Sequence, residues 1–65
     1  MNVLDQLQDA LSGEVTLQSM YNHHMVNIAT PEIRQLFQQM RDAKMQHITQ
    51  LQQQIMQLMA QGWKS

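Results

Sequence analysis

Apolar residues in the second half of the chain return in steps of three and four. They run Ile33, Leu36, Phe37, Met40, then Ile48, Leu51, Ile55, Leu58 and Met59. That spacing marks an amphipathic helix with one face made for packing. The signals at its ends agree. Thr30 is a good N-cap, Pro31 takes the first helical position, where a missing N–H is harmless, and Glu32 places negative charge at the positive end of the helix dipole. No Gly or Pro interrupts the pattern until Gly62, a natural stop. A helix is therefore expected over 31–61, roughly 46 Å long at 1.5 Å per residue. Its stripe has one gap, between Met40 and Ile48, where Ala43, Lys44 and His47 take the inward positions. Any chemistry is expected at that gap.

The first half carries a matching seam. Leu4, Leu7, Leu11, Tyr21, Met25 and Ile28 share one phase, and extending it places Glu14 and Gln18 inward, flanked by Val15 and Leu17. Asn2 is the expected N-cap. Gly13 costs about 1 kcal/mol relative to Ala in a helix, so Ser12-Gly13 is the expected weak point of a helix over 3–29. It would allow either a kink or close approach by a neighbour. Residues before proline avoid helical backbone, which sets the break at Ala29-Thr30. So short a connection makes the two helices antiparallel neighbours. The expected fold is all-α, a single hairpin of two unequal helices, with no repeat or second domain.

Composition sharpens this. At 65 residues without cysteine, the chain can use neither a disulfide nor a thiolate metal site, and small chains need such a staple or a partner. A two-fold dimer forming a four-helix bundle is the expected remedy, burying the stripe Ile33, Phe37, Met40, Ile48, Leu51, Ile55, Leu58 and Met59. Four basic residues against five acidic ones offer no basic patch for nucleic acid or anionic lipid. No apolar run reaches the about 18 residues of a membrane span, and no secretory signal opens the chain, so a cytoplasmic location is expected. Thirteen Gln read as a polar helix face, the alternative being a self-associating low-complexity tract. Seven Met read as packing residues, the alternative being a thioether metal cluster.

Antiparallel pairing about a turn near residue 29 or 30 brings Glu14 level with Lys44 and His47, and Gln18 roughly level with Arg41. One carboxylate, one ammonium and one imidazole then meet in the seam. Here the chain resembles ferritin-like and rubrerythrin-like hairpins, in which one helix supplies an inward Glu and the next a Glu-x-x-His, two hairpins together holding a metal pair. Glu14, Tyr21 and His47 match that arrangement. Lys44 stands where the second Glu belongs. A cation in a carboxylate's place removes a hard anionic ligand, so no metal and no cofactor are expected. Lys44 is instead expected to pair with Glu14.

A second resemblance covers residues 29–63. The string ATPEIRQLF, the long Gln- and Met-rich helix and the closing QGW are similar to the spore-coat F family of ferritin-like hairpins. That resemblance implies a spore-forming Gram-positive bacterium and a structural role in or near the spore coat. Two rivals stay open: a degenerate metal-binding protein using Glu14 and His47, and a small regulatory hairpin that binds a partner's helices.

Other candidates carry less. Adjacent helical side chains point about 100° apart, so His23-His24 make a poor chelate. His24 is expected at the seam edge and His23 in water. Tyr21 reads as a core aromatic or, beside a metal, a redox group. Trp63 reads as a cover over the last helical turn or an anchor for a partner. No nucleophile–base pair, phosphate loop or carboxylate pair is present, and no catalytic residue is assigned.

Overall fold

Asn2 starts the first helix as expected: its side-chain Oδ1 accepts the Asp5 N–H at 2.9 Å, satisfying one of the orphan donors of the first turn. In a computed structural model that describes residues 2–62, two helices follow, α1 (Val3–Asn27) and α2 (Pro31–Ala60). α1 is continuous through Ser12-Gly13. The expected weak point is not a break, because one Gly among good helix formers costs less than the turns on either side contribute. A Cβ built on Gly13 would meet nothing within 4 Å, so no neighbour in the hairpin uses the space.

The connection is Ile28-Ala29-Thr30, one residue longer than expected. Ile28 and Thr30 are both extended, with φ,ψ of −88°, 115° and −74°, 116°. Pro31 imposes that on Thr30, and the chain leaves the helix at Asn27 to reach it. Thr30 caps α2 through its carbonyl, which accepts the Arg34 N–H at 2.9 Å, while its side chain makes no capping bond. The turn is also tied from outside: the Arg34 guanidinium forks onto the Ile28 carbonyl, Nε at 3.1 Å and Nη2 at 2.7 Å. At the far end Gly62 takes φ +73°, the left-handed conformation that ends helices cheaply only in glycine. The expectations for Trp63 lie outside the described residues.

The helices pack along one seam. Leu4, Leu7, Leu11, Glu14, Gln18, Tyr21 and Met25 of α1 and Ile28 just past its end are all half-buried, as are Phe37, Arg41, Lys44, Ile48, Leu51 and Leu58 of α2, and Ile55 is buried. Both sets keep a strict three-four alternation, the signature of coiled-coil-like packing. Within one hairpin the α2 stripe divides. Phe37, Ile48, Leu51, Ile55 and Leu58 lie on the hairpin's own seam, whereas Ile33, Leu36, Met40 and Met59 remain 41–62% exposed. The gap in the stripe is where the seam passes through Arg41 and Lys44. The hairpin measures 48 × 17 × 12 Å with a radius of gyration of 14.9 Å, against about 11 Å for a compact chain of this length. Two helices side by side have no third layer to enclose a core.

Candidate functional site

The polar middle of the seam is built by register. Tyr21 meets Phe37 edge to face with ring centroids 5.8 Å apart. One heptad further from the turn on both helices, Glu14 meets Lys44. The ammonium lies 3.1 Å from Glu14 Oε2, each side chain 21% exposed. His47 Nδ1 donates to Glu14 Oε1 at 2.9 Å, its ring nearly half exposed at the seam edge. Glu14 thus holds a cation on one oxygen and an imidazole on the other. Oε2 is itself buried, and its partner is the Lys44 ammonium. The Lys44 ammonium, with His47 adding to it, holds the Glu14 carboxyl below its ordinary value of 4.5 against the opposing effect of partial burial. The carboxylate is the form that the site stabilises.

Arg41 does not turn to Gln18. Its Nη1 donates to Asn22 Oδ1 at 3.1 Å, and Nε and Nη2 to Asp42 Oδ1 at 3.1 and 3.0 Å. The long side chain bypasses the level partner and reaches one turn along, to a side chain at the solvent edge where a guanidinium stays hydrated. Gln18 sits half-buried in the seam as expected. His24 lines the seam edge, its ring 6.2 Å from Phe37. Asn22 and Arg34 were not singled out in the sequence. Arg34 had a signal: a basic residue three positions after Pro31 can reach back to the carbonyls that end the preceding helix.

As chemistry, the cluster is a compensated charge triad. A ferritin-like half-site needs two carboxylates around its metal. Here the single carboxylate is already neutralised by an ammonium, and no group of three His, Cys, Asp or Glu that could hold a metal occurs among the described residues. The donor set does not fit a metal pair. A shallow depression lined by Met45, Gln46, Thr49 and Gln50 lies on the solvent side of α2, where one helix alone cannot enclose a ligand. Among the described residues no helix is long and apolar enough to cross a membrane. Comparison with protein-family models, with curated proteins and with solved structures finds no match.

Proposed function

We propose that this chain is a non-catalytic assembly protein that works by self-association of its hairpin into a four-helix bundle. One observation carries the reading. Ile55 is the one apolar residue buried among those described, while Ile33, Leu36 and Met40 beside the seam stay 41–46% exposed. A hairpin that encloses so little has surface left to bury, and the association that buries it is an activity that needs no cofactor. The charge triad fits a structural role: Lys44 supplies the positive charge that a metal would otherwise bring to Glu14. The likeness of ATPEIRQLF and QGW to the spore-coat F family supports a coat setting for that assembly.

Light scattering tests the association, and a folded monomer of 7.6 kDa at micromolar concentration would overturn it. Thermal melts with and without iron or manganese test the rival metal-binding reading. Wild type is expected to gain nothing from metal. Lys44→Glu, which places a carboxylate three residues before His47, is expected to melt lower alone because like charges crowd one level. Added metal should restore it, since a ligand that binds only the folded state stabilises that state. A wild type that gains as much as the variant would show that the metal reading is right.

A further inference from the structure

Every seam position, in both helices, is preceded by a residue other than Asp, Glu, Lys or Arg, two of them being His24 and His47. In an antiparallel pair those preceding residues lie on the same side of the hairpin, forming one flank; the residues that follow the seam positions form the other. Among the described residues no Asp, Glu, Lys or Arg falls on the first flank, whereas Asp5 and Asp42 fall on the second, with the Arg41–Asp42 pair at 3.0 Å. The first flank is also graded along its length. Its turn half holds Leu17, Met20, Ile33, Leu36 and Met40, each 37–46% exposed. Its free-end half holds Gln6, Gln50, Gln54 and Gln57, with Val3, 47% exposed, as its large aliphatic.

We infer that this flank is the docking surface for a second copy of the chain, with the two turns at the same end of the bundle. The inference rests on the self-association proposed above and adds the face and the alignment. Three features select a second copy. The hairpin exposes 4884 Å², about 600 Å² more than the roughly 4300 Å² of a compact monomer of its mass. That excess approaches the about 800 Å² each partner gives to a standard interface. A flank free of Asp, Glu, Lys and Arg brings no fixed charge against its own image. The grading matches as well: a two-fold axis along the hairpin lays α2 of one copy against α1 of the other, so Met40 comes level with the partner's Leu17 and glutamines face glutamines. Turned end for end, the apolar half would lie on Gln50 and Gln54.

Two variants of equal exposure test the face. Met40 and Met45 are 41% and 47% exposed, on the first and the second flank respectively. Met40→Glu is expected to raise the dimer dissociation constant at least roughly 100-fold, because a carboxylate would be desolvated at the interface without a partner, and Met45→Glu to leave it within about threefold. Sedimentation equilibrium reads both. A monomeric wild type would overturn self-association itself. A dimeric wild type broken by Met45→Glu, or left intact by Met40→Glu, would overturn the face and leave self-association standing. Should Met40→Glu fail to fold, cross-linking decides. The chain has no native cysteine, so a short bismaleimide can be added to mixed single-cysteine proteins. Leu17→Cys with Met40→Cys is expected to link, and linkage of Met40→Cys with Gln50→Cys in its place would overturn the alignment.

Discussion

Toward the free ends of the hairpin, Leu4, Leu7 and Leu11 of α1 run level with Ile48, Leu51, Ile55 and Leu58 of α2. Midway along, the same seam phase holds Glu14, Gln18, Arg41 and Lys44. The two stretches obey one geometric rule and do different work. Aliphatic side chains at the free end bury area and tolerate slippage in one direction: a heptad slide one way still sets Leu7 on Leu58 and Leu11 on Ile55, while the opposite slide brings Leu7 onto Lys44 and Leu11 onto Arg41. The middle is not tolerant. The same slide would move Glu14 from Lys44 onto Ile48–Leu51 or onto Phe37, leaving a carboxylate against apolar surface. Burial at the free end thus supplies stability, and the Glu14–Lys44 pair adds a penalty of its own to any departure from the register that the short connection already restricts.

The sharpest way to break this division is to cut the aliphatic end. Ile55→Ala is expected to cost about 2–5 kcal/mol, the range for deleting a buried aliphatic. Half-buried Leu51→Ala should fall toward the lower end of that range. Both are read from denaturant midpoints at one fixed protein concentration, and a loss near zero for Ile55 would remove the free end as the source of stability.

The middle calls for a different readout. Lys44→Leu alone should lower the melting temperature by stranding Glu14, while Glu14→Leu with Lys44→Leu should recover it or exceed wild type. What the double variant should lose is uniqueness, visible as more than one set of amide resonances. A single sharp set would mean that the charges do not choose the register. The triad should also leave a pH signature. The Glu14 carboxyl is held below 4.5 when folded, chiefly by Lys44, so its contribution is complete above about pH 4.5 and is lost as pH falls through the lower folded value. The stability gap between wild type and Glu14→Gln should therefore be widest near neutrality and close on acidification. A gap that widens toward acid would reverse the assignment.

At the turn the effect is smaller. Arg34→Ala should cost about 1 kcal/mol by freeing the Ile28 carbonyl. Arg34→Lys should recover less than half of that, because an ammonium has no fork for two simultaneous bonds. Least of all, Gln52→Ala on the solvent face should shift the midpoint by less than about 0.5 kcal/mol. If it matched Ile55→Ala, the phase assigned to α2 would be wrong.

Much of this arrangement is already written along the chain. Three-four spacing is a property of a single helix, so the seam of α1, with Glu14 and Gln18 inward, follows from counting residues. Pro31 and Gly62 act through their own backbone angles and place the turn and the stop without help from tertiary contacts. A connection of three residues leaves antiparallel helices little freedom to slide, which is why Glu14 could be set level with Lys44 and His47 before any coordinates. Tertiary structure decided the rest. Which apolar residues of α2 enter the seam depends on the direction from which α1 approaches. An apolar stripe about 100° wide, as Ile33, Leu36, Phe37 and Met40 form, does not by itself specify which of its edges faces the neighbouring helix. The same holds for the long cations. Arg41 passed over Gln18 for Asn22, and Arg34 turned back to Ile28, because a flexible side chain ends where an acceptor and water are both within reach, and the backbone of two helices had first to put those acceptors there.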